Sequence, residues 1–86
     1  MRSITLAFSS NGTMPMSDLG SGARGVVREV RASSTGRTDR LLALGVTPGA
    51  RVTILQTFPG VVFLCDQTEL AVERGVAESI VVSVDR

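Results

Sequence analysis

Histidine, lysine, tryptophan and tyrosine are all missing from the 86-residue chain, there is a single cysteine, and the aromatics amount to three phenylalanines. Without histidine the chain lacks the commonest general base and the commonest transition-metal ligand. Without lysine it has no Schiff-base nucleophile and no P-loop amine. Without tryptophan or tyrosine it lacks the best platforms for stacking nucleobases. No apolar run approaches the roughly eighteen residues that a membrane helix requires. These absences together exclude most catalytic inventories, and the chain is read as a non-enzyme.

The residues present describe one small globular unit. Eighty-six residues, 43% hydrophobic and 20% charged, hold one domain with one core. A chain of this size buries roughly 60% of its unfolded surface, so its stability rests on tight packing. Nine arginines against eight carboxylates leave a net charge of +1, too balanced for a broad nucleic-acid or anionic-membrane footprint. The lone Cys65 has no intramolecular partner, and the apolar stretch Ile4 to Phe8 is too short for a secretory signal, so a reducing cytoplasm is the expected compartment.

Hydrophobic periodicity predicts five short strands and one short helix. Residues 1–15 read as a partly ordered N-terminal extension, since Ile4, Leu6 and Phe8 alternate before Ser9-Ser10-Asn11-Gly12-Thr13 and Pro15 break the pattern. Residues 16–86 form the domain. In Ala23 to Arg31 the parity of Val27 and Val30 shifts, which predicts a bulged strand. Thr38 or Asp39 caps a short helix carrying Leu41, Leu42 and Leu44, and Gly45 ends it. Pro48 and Gly49 occupy the second and third positions of a type II turn. Val52 and Ile54, then Leu70 and Val72, alternate with polar residues as half-buried strands. Between them Val61 to Cys65 is apolar on both parities, and Asp66-Gln67-Thr68 turns it into a hairpin. Gly75 to Ser79 makes a helical turn before Ile80, Val82 and Val84. Closure of so many short strands satisfies their edges, so the expected fold is mainly β, a small SH3-like barrel.

Met16-Ser17-Asp18-Leu19, Gly22-Ala23-Arg24-Gly25-Val26-Val27, the run from Arg40 to Val52 and Leu70-Ala71-Val72, in that order and spacing, resemble one family. The similarity is to FeoA, ferrous iron transport protein A, and it covers Met16 to about Val84, with Leu41 to Gly49 its most specific part. The resemblance implies a cytoplasmic SH3-like barrel that is not an enzyme and that works with FeoB, the membrane ferrous-iron transporter with a cytosolic GTPase domain. The chain departs from the family pattern in its 15-residue leader, in the polar loop Ala32 to Gly36, and at Gln67, where glycine is usual.

Several motifs invite sharper readings. Gly20-Ser21-Gly22-Ala23-Arg24-Gly25 matches G-x-G-x-x-G, with Asp39 near the spacing of a ribose-binding acid, but Val26-Val27 continue as strand where a dinucleotide site needs a helix. Turn formation explains these glycines. Cys65, beside Phe63 and Leu64, reads as a buried neutral thiol. Asp18, Asp39, Glu69, Glu73 and Asp85 are scattered carboxylates suited to weak, adventitious divalent-ion contacts, and no cofactor is expected. Glu69 and Glu73 fall on a solvent face rather than in a pocket that would raise a pKa. The sequon Asn11-Gly12-Thr13 has no meaning in a cytoplasmic chain.

The short helix is the richest functional candidate. It cannot easily bury Leu41, Leu42 and Leu44 at once, so the helix is either a plug for one barrel end or a partner-docking edge with Arg37 and Arg40 as rim charges, and both hold if Leu42 plugs the barrel while Leu41 and Leu44 face outward. Val61, Val62 and Phe63 on a free strand edge form a second candidate, for self-association into a homodimer. The alternative function is a nucleic-acid-binding or transcription-linked small barrel that gathers Arg24, Arg28, Arg31, Arg37, Arg40 and Arg51 on one face.

Overall fold

Alternation dictates the sheet. In the computed structural model, which describes residues 12–31 and 38–85, the strands are β1 (Thr13–Pro15), β2 (Arg24–Val30), β3 (Arg51–Gln56), β4 (Val61–Cys65), β5 (Thr68–Val72) and β6 (Ile80–Val84). A 3-10 turn (Met16–Asp18) follows β1, helix α1 (Thr38–Ala43) precedes β3, and helix α2 (Arg74–Ala77) precedes β6. The sheet order is β1-β6-β2-β3-β4-β5, with every pairing antiparallel. The loop Ala32 to Gly36, Arg37 and most of the N-terminal extension lie outside the described residues.

The sixth strand is the addition to the five expected. Thr13–Pro15 pairs with β6, Met14 opposite Val82 and Pro15 opposite Val81. Proline is tolerated there because an edge strand leaves a backbone position free of any ladder donor. The bulge foreseen in the first strand is present: register shifts between Val27 and Glu29, so Arg28 is the extra residue and both Arg28 and Glu29 face water. A second bulge, between Ile54 and Gln56 opposite β4, turns Leu55 out to 42% exposure.

Val27, Ile54, Val61, Phe63, Ile80 and Val82 point inward from β2, β3, β4 and β6, and Met16 on the 3-10 turn closes one side of this core. Gly25 lets β2 lie against β6, since a Cβ there would collide with the Ser83 carbonyl oxygen. This close approach accounts for the last glycine of the G-x-G-x-x-G run. Gly22, at φ +89°, makes the turn before β2, and its N–H donates to the Ile54 carbonyl at 2.7 Å. The run therefore enters a strand, and no helix follows to receive a phosphate.

The expectation of a free edge at Val61, Val62 and Phe63 is corrected by the topology. β4 lies between β3 and β5, so its backbone is paired on both sides. Val61 and Phe63 are fully buried and Val62 is half-buried, because a strand apolar on both parities is used here as an interior strand.

Candidate functional site: a rigid apolar helix end

The α1 end is fixed by its own backbone. Gly45 takes φ +95°, and its N–H donates to the Leu42 carbonyl at 3.1 Å while the Val46 N–H donates to the Leu41 carbonyl at 2.9 Å. These two bonds are a Schellman cap, which needs a residue free to enter the left-handed region. The accompanying apolar contact of that motif joins the residues at its two ends, and Leu41 (2% exposed) and Val46 (0%) are both buried. The cap thus decides which leucine faces inward.

The facing expected from sequence is reversed for two leucines. Leu41 is the plug, whereas Leu42 is 54% exposed and Leu44 51% exposed. Leu44 faces outward as expected, with Arg40 exposed one turn before it. Arg37 lies outside the described residues.

The chain after the cap is tied to two strands. Ala50 N–H donates to the Thr47 carbonyl at 3.0 Å, closing the turn with Pro48 second and Gly49 third at φ +97°, as the type II geometry requires. Gly49 N–H then donates to the Val27 carbonyl, and Val27 N–H to the Ala50 carbonyl, each at 2.8 Å. From the other side the Cys65 Sγ contacts the Gly45 carbonyl at 3.6 Å. Burial pushes the Cys65 thiol pKa up, with Asp66 adding to the shift, so the sulfur is held as a neutral thiol. Its role is packing under the helix end.

The opposite end of β3 carries an apolar feature that sequence reasoning missed. In the β3–β4 loop Phe58 is 80% exposed, with Leu55 displaced outward beside it by the bulge. Side chains fix this loop: Gln56 Nε2 donates to the Phe58 carbonyl at 2.9 Å, and Arg74 Nη1 donates to the Thr57 carbonyl at 2.6 Å. The second Arg74 amino group reaches the Ser17 carbonyl at 3.0 Å. The available signal was Phe58 standing directly before Pro59-Gly60, an aromatic inside a turn.

Polar chemistry is sparse elsewhere. Arg51 pairs with Asp85 at 2.8 Å and Arg31 with Glu29 at 3.3 Å, both pairs exposed and of small energetic weight. These pairings neutralise two of the six arginines that a nucleic-acid surface would recruit. Glu69 and Glu73 are exposed. Among the described residues no three cysteine or carboxylate groups converge on a metal site, and no helix is long and apolar enough to cross a membrane.

The fold and this surface define a class: a small, mainly β domain of SH3-like architecture that offers rigid apolar contacts. The chain belongs to the FeoA family, whose domain model matches residues 14–84. It is 31% identical to the FeoA protein of Chlorobium tepidum, whose solution structure superposes with a TM-score of 0.74 over 83% of this chain and 70% of that one. The FeoA of Stenotrophomonas maltophilia, crystallised with zinc and described as a prokaryotic SH3 domain protein, shares the fold. Its TM-score is 0.75 at 23% identity, with coverage of 85% of this chain and 96% of that one. The same fold recurs in T. acidophilum IdeR, at TM-score 0.75 and 23% identity over 85% of this chain but 34% of that chain. No curated protein sequence matches the chain. FeoA proteins are associated with ferrous iron transport.

Proposed function

We propose that the chain is a non-catalytic accessory protein of ferrous iron uptake that works in the cytoplasm, docks on the cytosolic side of an FeoB-type transporter and modulates its transport or GTPase activity. The observation that carries this reading is the pair Leu42 and Leu44, each about half exposed on a helix end closed by a Schellman cap. Apolar side chains on a fixed backbone lose less entropy on binding than those on a frayed one, which suits an interface anchor. Arg40 stands beside them as a rim charge. Burying the exposed halves of two leucines contributes about 1 kcal/mol each, a change of the order of tenfold or more in affinity. The chain works without a resident metal ion, its carboxylates making only weak, adventitious divalent contacts.

Calorimetric titration of the chain into the full transporter and into its cytosolic GTPase domain tests this reading. Saturable binding is expected, weakened about tenfold by Leu42→Asp or Leu44→Asp with the thermal midpoint unchanged. Leu41→Asp is unsuitable as a probe because that side chain belongs to the core. Binding unaltered by both variants would move the interface away from α1, and no binding by the unmodified chain would end the docking reading.

A further inference from the structure

The β3–β4 loop is built to be desolvated, yet its aromatic ring stands in water. Phe58 is 80% exposed while Phe63, in the strand that follows directly, is fully buried. Leu55, turned out by the second bulge three residues earlier, and the adjoining Pro59 are the other exposed apolar residues of this stretch. Loop carbonyls normally depend on water, and burying them against a partner leaves acceptors unsatisfied. Here the carbonyls of the two consecutive residues Thr57 and Phe58 already accept bonds from Arg74 and Gln56. The same guanidinium ties the loop to the 3-10 turn through Ser17. Gly60 completes the close fit, since a Cβ there would stand 2.8 Å from the Val72 carbonyl oxygen.

We infer that this tip is a second anchor on the proposed transporter, with the Phe58 ring entering an apolar, ring-sized pocket on the transporter protein. The inference rests on the docking reading above. Charge decides between a protein pocket and the adjoining lipid. Peripheral attachment to an anionic bilayer relies on several free Lys or Arg side chains around an apolar wedge. The guanidinium that reaches this tip is instead engaged with two backbone carbonyls, and the residue beside it is Glu73. One phenylalanine and one half-exposed leucine, with Arg74 already engaged by two backbone carbonyls, match a protein pocket, where a preorganised aromatic is a preferred hot spot. The tip lies at the far end of β3 from the α1 surface, so the two anchors are separate contacts.

The test uses the full transporter in nanodiscs, empty nanodiscs of the same lipids, and four forms of the chain: unmodified, Phe58→Ser, Phe58→Leu and Leu44→Asp. Phe58→Ser is expected to weaken transporter binding at least about fivefold, Phe58→Leu to fall between it and the unmodified chain, and neither to shift the thermal midpoint. Empty nanodiscs are expected to bind none of the forms. If the unmodified chain binds, Leu44→Asp weakens it and Phe58→Ser binds as tightly as the unmodified chain, the second anchor is overturned while the docking reading stands. Binding to empty nanodiscs that Phe58→Ser abolishes would assign the tip to lipid and overturn the protein pocket. Failure of the unmodified chain to bind the transporter would overturn both readings.

Discussion

The two ends of β3 expose apolar side chains in equally fixed settings, but by opposite means. At the start of β3 the Leu42 and Leu44 surface is held by backbone: a Schellman cap at Gly45 and a turn at Pro48-Gly49, both closed by bonds within the stretch from Leu41 to Ala50. At its end the Phe58 loop is held by side chains, and its principal clamp, Arg74, comes from 17 residues downstream and also bonds Ser17, 57 residues upstream. The comparison teaches that rigidity of an exposed apolar contact can be encoded locally, in glycine and proline positions, or across the fold, in one long polar side chain. Only the first kind is written in a contiguous stretch of sequence.

Variants that act on one end alone sharpen this contrast. The largest effect is expected from Leu41→Ala, which empties a fully packed core position beneath the cap and costs about 2–5 kcal/mol in urea unfolding. A loss below about 1 kcal/mol would show that Leu41 is not the plug. Gly45→Ala forces a side chain into the left-handed region at φ +95° and is expected to cost about 1–2 kcal/mol, with nothing nearby for the new Cβ to strike. The matching change at the other end, Arg74→Ala, removes two side-chain bonds to carbonyls and is expected to cost about 1 kcal/mol. Its distinguishing readout is amide hydrogen exchange, which should speed up across residues 57–60 while residues 41–46 remain protected. Equal loosening at both ends would break the contrast.

A smaller effect follows from Cys65 beneath the helix end. Its folded pKa is raised above the ordinary thiol value of 9.0 by burial, with Asp66 adding to it. The folded state therefore holds the thiol proton more tightly than the unfolded state does. This contribution is fully present below about pH 9 and is lost as pH rises through the folded value. A modest fall in stability above pH 9, absent in Cys65→Ala, is the expected result. Native-state alkylation of Cys65 at pH 8 should likewise be slow and should accelerate on unfolding. The smallest stability effects belong to the exposed leucines: Leu42→Asp and Leu44→Asp should unfold within about 0.5 kcal/mol of the unmodified chain.

Where local rules carry the structure, the sequence was legible. The parity shift of Val27 and Val30 announced the bulge, Gly45 ended its helix, and Pro48-Gly49 made the turn with glycine at the position that needs positive φ. What was not legible depends on partners distant in the chain. The inward choice of Leu41 over Leu42 follows from contact with Val46 in the cap, which helical spacing alone leaves open. Val61 to Cys65 looked like a strand with an apolar free edge, but its pairing on both sides is a property of the whole sheet. Thr13–Pro15 became a strand because β6 offered an edge, a fact no window of three residues contains. Phe58 is not legible as a contact residue in the sequence, because the bonds from Arg74 and Gln56 that fix its loop exist only in the folded chain.

Amide chemical-shift mapping of the isotopically labelled chain on addition of the full transporter tests the central claim most directly. The account predicts that the largest shifts or line broadening fall on Arg40 to Gly45, with a second cluster at the Phe58 loop. Saturable binding that leaves Arg40 to Gly45 unperturbed would contradict it.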